Sequence, residues 1–187
     1  MASLEARLDN LLATAQEETA NDDLFAPIPE REECPICMIP LPRNDNEIRF
    51  MICCGKTICV GCNYKQSTND TKNKVPNHKR KCAFCCQPPP KNNIKALKKL
   101  AKKNNLDALK QMAVEYRRGE NIFQSNAKSI EMHMLTAELG NADAFTTIGY
   151  HYHRGIIVKQ DDSKAFAYYE VGAKKGSMRG TMYLLLS

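Results

Sequence analysis

The second half of the chain carries apolar residues at helical spacing. From Asn92 onward, alanines and large apolar side chains recur every three or four residues, in stretches separated by short polar segments. The pattern predicts helices over about 106–118, 126–139, 142–154 and 163–175. These helices fall into two pairs, which favours an all-α architecture in which each pair buries its apolar stripe on the next.

The same region repeats itself at an offset of 36 residues. Six identities coincide at that offset: Ala108 with Ala144, Tyr116 with Tyr152, Gly119 with Gly155, Lys128 with Lys164, Ala137 with Ala173, and Gly140 with Gly176. Each glycine follows a predicted helix, at the position where a left-handed C-cap favours this residue. Self-similarity at such a period is typical of solenoids built from helix pairs.

Residues 108–187 resemble Sel1-like repeats, which are relatives of the tetratricopeptide repeats. The glycine, alanine and tyrosine positions just described carry the resemblance, which covers two units and the first helix of a third. The resemblance implies an all-α Sel1/tetratricopeptide-like solenoid. It also implies a role in binding other proteins on a concave surface, with no chemistry of its own.

The N-terminus carries a separate helical pattern over residues 3–20. The predicted amphipathic helix has charged residues on one face and four leucines on the other: Leu4, Leu8, Leu11 and Leu12. An acidic segment with Pro27 and Pro29 follows and predicts an extended linker. Two interpretations of the leucine face stay open, namely dimerisation through this helix and docking of the helix on the chain's own surface.

All nine cysteines lie between these helical regions, within residues 34–86. They form three CxxC pairs, an additional pair before the second of these, and one further thiol: Cys34 and Cys37, Cys53 and Cys54, Cys59 and Cys62, Cys82 and Cys85, and Cys86. Two residues between cysteines let both thiolates of a tight turn bind one metal ion. Eight ligands make two tetrahedral sites, and all-thiolate tetrahedral sites favour zinc. Since the segment has few large apolar side chains, metal binding would supply much of its folding free energy.

This segment resembles a RING-type zinc finger, in which the ligand pairs interleave along the chain. The resemblance implies a small zinc-stabilised cross-brace α+β domain with two Zn²⁺ ions. The first and third pairs would hold one ion: Cys34, Cys37, Cys59 and Cys62. The second and fourth pairs would hold the other: Cys53, Cys54, Cys82 and Cys85.

The second ligand pair departs from the family pattern. The family commonly has a Cys-x-His pair there, whereas this chain has Lys56 in the histidine position, and a protonated lysine is not a normal zinc ligand. Cys53 beside Cys54 is the expected replacement, with Gly55 relieving the strain of the turn. His78 and Cys86 are the alternative ligands.

The RING resemblance implies ubiquitin ligase activity. Members of that family dock a ubiquitin-conjugating enzyme and orient its thioester, with no covalent chemistry of their own. The resemblance implies a docking groove at Ile36, Ile58 and Ala83. Two positions depart from the pattern, because Ala83 stands in place of the usual proline and Cys86 in place of a basic residue. The alternative is a non-catalytic adaptor that uses both modules only to bind protein partners.

Charge is distributed unevenly along the chain. Residues 1–33 contain 2 basic and 9 acidic residues, whereas residues 91–118 contain 9 basic and 2 acidic ones. The basic stretch 91–103 raises the hypothesis of nucleic-acid binding through phosphate contacts. Its apolar residues, however, also recur at helical spacing. We therefore expect a basic helix that leads into the repeats and exposes its lysines to solvent, and no nucleic-acid partner.

Composition narrows the class of protein further. The sequence has neither the run of about 18 to 20 apolar residues that a membrane span requires nor the apolar segment of a secretory signal. Clustered cysteines at short spacings are typical of metal sites in a reducing compartment, which predicts the cytoplasm or the nucleus. Four segments are expected: an N-terminal helix and linker at 1–33, a RING-like domain at 34–90, a basic leading helix at 91–107, and repeats at 108–187.

Overall fold

The computed structural model describes four stretches of the chain: residues 3–24, 30–42, 44–75 and 80–186. The chain divides into two compact units. The helical unit comprises Met1–Pro29 and Met112–Ser187, and the cysteine unit comprises Glu30–Gln111. Among the described residues, no helix has both the length and the apolar character needed to cross a bilayer.

The repeat region folds into five helices. They are α4 (Leu106–Arg118), α5 (Asn126–Glu138), α6 (Ala142–Arg154), α7 (Asp162–Lys174) and α8 (Met178–Leu185). Within the helical unit, α5 packs against α6, α6 against α7, and α7 against α8. The predicted helices 106–118, 126–139, 142–154 and 163–175 are confirmed to within one residue at each end.

The period of 36 residues is also present in the hydrogen bonds. The Ser125 N–H donates to the Tyr116 carbonyl at 2.8 Å, and the Asp161 N–H donates to the Tyr152 carbonyl at 3.1 Å. Both bonds join the residue before the second helix of a pair to the end of the first helix. Equivalent connections therefore have equivalent geometry, which is what a structural repeat requires.

Glycines serve two purposes in this stack. The four glycines predicted as C-caps have φ between 60° and 93°, which confirms the left-handed conformation: Gly119, Gly140, Gly155 and Gly176. Gly149 instead permits a close approach of helices, because a Cβ atom there would lie 2.8 Å from Cε1 of Tyr169. The sequence patterns gave no indication of this position.

Helix α1 (Leu4–Glu18) belongs to the core of the helical unit. Its N-cap is Ser3, whose hydroxyl accepts from the Ala6 N–H. Leu8 is fully buried in one cluster with Ile130 and Tyr168, and α1 packs against α5 and α7. The docking interpretation is therefore confirmed, and the centre of the leucine face is not exposed for dimerisation.

In the described part of the cysteine unit, a small antiparallel sheet leads directly into a helix. Strand β1 (Ile48–Met51) pairs with β2 (Lys56–Cys59), and α2 (Val60–Lys72) follows β2 directly. Among the residues that the structure describes, its buried apolar cluster comprises Cys34, Leu41 and Ile58, with half-buried neighbours around them. This small core makes the unit dependent on other stabilising interactions.

The basic helix α3 (Asn93–Ala101) lies in the cysteine unit. Leu97 is buried, and after the helix the Asn105 side chain donates from Nδ2 to the Gly55 carbonyl at 3.0 Å. The Thr57 hydroxyl also donates to the Asp107 carboxylate. These contacts connect the segment after the cysteines to the β1–β2 loop and to β2, whereas the sequence pattern had associated it with the repeats.

Candidate metal centre

The cysteine side chains come together in two groups of four. In each group all the Sγ atoms lie within 4.8 Å of one another. The first cysteine group is Cys34, Cys37, Cys59 and Cys62, and the second is Cys53, Cys54, Cys82 and Cys85. Pairs from the two groups alternate along the chain, so the groups are interleaved. They are the two sets that the family resemblance implies.

The distances between sulfur atoms fit a tetrahedral metal site. Sγ of Cys37 lies 3.8 Å from Sγ of Cys59 in the first group. In the second group, Cys54 and Cys82 are separated by 3.9 Å, and Cys53 and Cys85 by 3.5 Å. Four sulfurs at about 2.3 Å from a central ion would be about 3.8 Å apart. A disulfide would need about 2.05 Å.

The first and last CxxC pairs adopt the same turn, which we call a knuckle (residues 34–39 and 82–87). In the first knuckle the Met38 N–H donates to the Cys34 carbonyl at 2.8 Å, and in the second the Cys86 N–H donates to the Cys82 carbonyl at 3.0 Å. Met38 and Cys86 have φ of 59° and 58°. Both knuckles therefore close through a left-handed residue directly after the second cysteine, although neither residue type favours that conformation.

Adjacent cysteines supply the other half of the second group. Cys53 and Cys54 lie in the loop between β1 and β2, where the N–H groups of Cys54 and Gly55 both donate to the Met51 carbonyl. Gly55 has a φ of 72°, so it provides the left-handed turn that two neighbouring ligands need. Of the alternative ligands, Cys86 is exposed and belongs to neither group. His78 lies outside the described residues.

Backbone amides favour one thiolate in each group. Burial acts to raise the pKa of the Cys34 thiol, but N–H groups of Cys59, Cys37 and Ile36 stabilise the thiolate and bring the pKa down to about 6. Burial acts in the same direction on Cys82, and amide donors in its own knuckle again lower its pKa. In both residues the pKa is lowered because backbone N–H groups donate to the sulfur atom and favour the thiolate.

The remaining thiols show the opposite tendency. Burial, followed by the proximity of the other cysteines, raises the pKa of Cys53 and Cys62, and burial also raises that of Cys54. Several thiolates therefore do not coexist easily in either group without a compensating positive charge. A divalent cation would supply that charge.

Basic side chains lie beside the second group. A cleft of about 330 Å³ is lined by Cys53 and Cys82 together with Arg49, Arg80 and Lys81. Four thiolates around one divalent ion carry a net negative charge. Nearby basic side chains stabilise that charge. The thiol ligands and the distances between their sulfur atoms fit a tetrahedral metal site. Each cysteine group could therefore hold a zinc ion.

The three expected groove residues have different environments. Ile36 lies in the first knuckle and is 40% exposed, and Ala83 of the second knuckle is half-buried against the cluster of Cys34 and Leu41. Ile58 is fully buried in that cluster, so it contributes to the core and not to a surface groove. The expectation that Ile58 lines a docking groove is therefore wrong. Three exposed apolar residues of the knuckles were missed by the sequence patterns: Met38, Ile39 and Phe84.

Comparisons with known proteins find similarity in structure. No protein-family model matches the chain, and no curated protein matches it. Among solved structures, the neighbours are Sel1-repeat proteins. A Sel1 repeat protein from Oxalobacter formigenes is 25% identical with a TM-score of 0.47, over 50% of this chain and 70% of that one. A protective antigen present in uropathogenic Escherichia coli strains, which displays an SLR fold, is 18% identical with a TM-score of 0.47, over 66% of this chain and 27% of that one.

Proposed function

We propose that the chain is a zinc-organised RING-type ubiquitin ligase, in which the cysteine unit docks a ubiquitin-conjugating enzyme and the repeats recruit a protein substrate. One observation carries the proposal, namely that two interleaved groups of four Sγ atoms have the spacing of tetrahedral zinc sites. Interleaved pairs connect distant parts of the chain through each ion, as the cross-brace arrangement requires.

Zinc has a structural role in this proposal. Cys34, Cys37, Cys59 and Cys62 would hold one ion, and Cys53, Cys54, Cys82 and Cys85 would hold the other. The bound ions supply cross-links that the small apolar cluster does not provide. With four thiolates at each site, no ligand position is left open for substrate, which is characteristic of structural and not catalytic zinc.

The knuckles offer the surface for the conjugating enzyme. Ile36, Met38 and Ile39 expose apolar side chains from the first knuckle, and Phe84 does so from the second. Ala83 packs against the cluster that contains Cys34, which supports treating the two knuckles as neighbours. Exposed apolar side chains grouped in this way are typical of protein-binding surfaces.

The proposed mechanism is orientation. A thioester held in one arrangement and an amine held beside it react faster, because the entropy of bringing them together has already been lost on binding. The ligase would contribute no nucleophile, and the eight grouped cysteine side chains would be engaged with zinc. The helical unit would choose the substrate, since stacked helix pairs present extended surfaces for protein binding.

A second candidate is supported by the residue after the last ligand. Cys86 occupies the position where RING ligases often have a basic side chain that helps to hold ubiquitin, and it is exposed. Without that cation, docking of a conjugating enzyme would not be followed by transfer. The chain would then act as a non-catalytic adaptor with the same two binding surfaces.

Ubiquitin transfer with a panel of conjugating enzymes tests the proposal. The zinc-loaded chain should modify itself with at least one enzyme, and Ile36→Ala should lower the rate about 10-fold through the loss of about 1.4 kcal/mol of docking energy. Met178→Ala, which removes an exposed apolar side chain from α8, should transfer normally. Zinc content of each variant, measured by native mass spectrometry, establishes that Ile36→Ala keeps both ions.

The outcomes separate the two candidates. Binding of a conjugating enzyme without any transfer would favour the adaptor. Transfer that is unaffected by Ile36→Ala would place the docking surface elsewhere. A chain that contains fewer than two zinc ions would contradict the cross-brace arrangement on which both candidates depend.

A further inference from the structure

Helix α1 occupies a groove of the helical unit and lies outside the repeat pattern. It packs against the second helix of each pair, α5 and α7, and has no counterpart in the 36-residue period. Leu8, Leu12 and Ala15 face the groove and are buried there. The groove therefore accepts a helix whose apolar residues are spaced three or four positions apart.

A buried polar contact in the groove recognises the backbone of that helix. The Tyr168 hydroxyl donates to the Leu8 carbonyl oxygen at 2.7 Å. Burial is the main cause that raises the pKa of Tyr168, so the hydroxyl keeps its proton and remains a donor. A carbonyl in the middle of a helix is available in any helical ligand, because it can accept a second hydrogen bond.

Charged residues along the groove select the type of helix. On the α7 side, Lys164 pairs with Asp9, and Lys175 pairs with Glu18 at 2.9 Å. On the α5 side, Glu131 lies 3.9 Å from Arg7. The α7 pairs are the shorter ones, and they place an acidic edge of the bound helix against two lysines. Such pairs contribute modestly to affinity but discriminate among partners.

The fit of α1 is incomplete. A cleft of about 370 Å³, open to solvent, remains beside it. It is lined by Leu11, Met134 and Phe145 together with charged side chains such as Arg7 and Glu138. Contacts along this cleft are therefore not all made by α1, and a helix with larger side chains there would make contacts that α1 does not.

We propose that the groove between α5 and α7 is a docking site for an acidic amphipathic helix of a partner protein, and that α1 is its tethered resident occupant. The partner must displace α1, whose covalent link to the groove gives it a competitive advantage over a free helix of equal affinity. Only helices that bind better than α1 are then retained. This inference names the partner class for the recruiting role proposed above and rests on it.

The experiment uses the full chain and a fluorescein-labelled synthetic peptide of residues 3–19 as the probe. Leu8→Asp in the chain weakens α1 and leaves every groove residue unchanged. Fluorescence anisotropy should show the peptide binding this variant about 10-fold or more tightly than the unsubstituted chain, because the resident helix no longer competes. Circular dichroism establishes that the variant is folded.

A second variant avoids the buried leucine. Asp9→Lys with Glu18→Lys changes only exposed positions of α1, so the fold is kept while docking is weakened. It should bind the peptide several-fold more tightly than the unsubstituted chain. The same two substitutions in the peptide should weaken its binding to the Leu8→Asp chain several-fold. Adding Lys164→Glu to that chain should restore part of the loss.

A fluorescent reporter detects displacement directly. The chain has no tryptophan, so Leu11→Trp places a single tryptophan, which can be excited selectively over tyrosine, on α1 beside the cleft. Its emission should move to longer wavelength when excess unlabelled peptide releases α1 into water. Either of two results would overturn the proposal: folded variants that bind the peptide no better than the unsubstituted chain, or tryptophan emission that does not change at saturating peptide.

The assay contains no ubiquitin, so its failure differs from failure of the ligase proposal. Ubiquitin transfer without peptide binding would contradict only the assignment of the groove as a docking site. Peptide binding in a chain that transfers no ubiquitin would leave the groove in place and remove the ligase.

Discussion

The two units differ in the interactions that are available to stabilise them. In the described parts of the chain, fifteen buried residues form one apolar cluster in the helical unit, whereas three form the cluster of the cysteine unit. Apolar burial is the main favourable term in folding, so the helical unit is expected to hold together through packing alone. In the cysteine unit, eight thiols instead lie in two groups of four whose spacing fits metal ions.

The contrast extends to the way each unit uses its chain. The helical unit repeats one local pattern, in which helices of equal length recur after 36 residues. The cysteine unit joins residues that are distant in sequence, such as Cys54 and Cys82. Local contacts form at low entropic cost, whereas distant ones need a strong interaction to offset the loss of chain freedom.

Removal of metal should give the largest difference between the units. Structural zinc contributes on the order of 10 kcal/mol to the folding of small zinc domains. A strong chelator should therefore abolish protection from hydrogen exchange in β1, β2 and α2, while α5, α6 and α7 keep theirs. Hydrogen exchange followed by mass spectrometry measures both units in one sample. Equal protection in β1 and β2 with and without chelator would contradict the zinc assignment.

Loss of a single ligand should have a smaller, localised effect. Cys85→Ser removes one thiol of the second group. Native mass spectrometry should therefore detect one zinc ion per chain for this variant and two for the unsubstituted protein.

The neighbouring thiol offers a matched control. Cys86→Ser changes an exposed cysteine outside both groups and should leave two ions bound. Loss of an ion from Cys86→Ser, or two ions in Cys85→Ser, would mean that the second group has a different ligand.

The helical unit was predictable from sequence because its determinants are local. Apolar spacing and the position of glycine define each helix, and the same signals occur twice, so the ends of α4 to α7 could be predicted to within a residue. The close contact at Gly149 was not predictable, because only the three-dimensional arrangement places the Tyr169 ring beside it.

In the cysteine unit the grouping of the cysteines was predictable from the sequence, whereas the packing was not. The CxxC spacing and the family resemblance indicated which cysteines come together. Ile58, however, lies in a four-residue strand, which is too short to indicate which face is buried. The bond from Asn105 to the Gly55 carbonyl joins residues 50 positions apart, and no local pattern signals it.

Truncation of a core side chain should destabilise the helical unit substantially. Phe145 is 1% exposed at the centre of the apolar cluster, so Phe145→Ala should lower the free energy of unfolding by about 3–5 kcal/mol. Phe123→Ala provides the control, because Phe123 is 93% exposed and its removal should change stability very little. Urea unfolding followed by circular dichroism measures both variants. Equal midpoints for the two would contradict the assigned core.

Addition of one methyl group should change stability differently in the two units: a loss in the helical unit, and no change or a small gain in the cysteine unit. Gly149→Ala gains about 1 kcal/mol of helix propensity but places Cβ 2.8 Å from the Tyr169 ring and 3.0 Å from the Ala165 carbonyl oxygen. Overpacking of this kind costs about 1–3 kcal/mol, and the backbone oxygen cannot move aside easily, so the clash should prevail. Gly61 in α2 is the matched position of the cysteine unit, because its nearest neighbour, Sγ of Cys59, would be 3.9 Å away. Gly61→Ala should therefore be neutral or slightly stabilising in thermal unfolding. A larger drop in midpoint for this variant than for Gly149→Ala would contradict the spacing found around the two glycines.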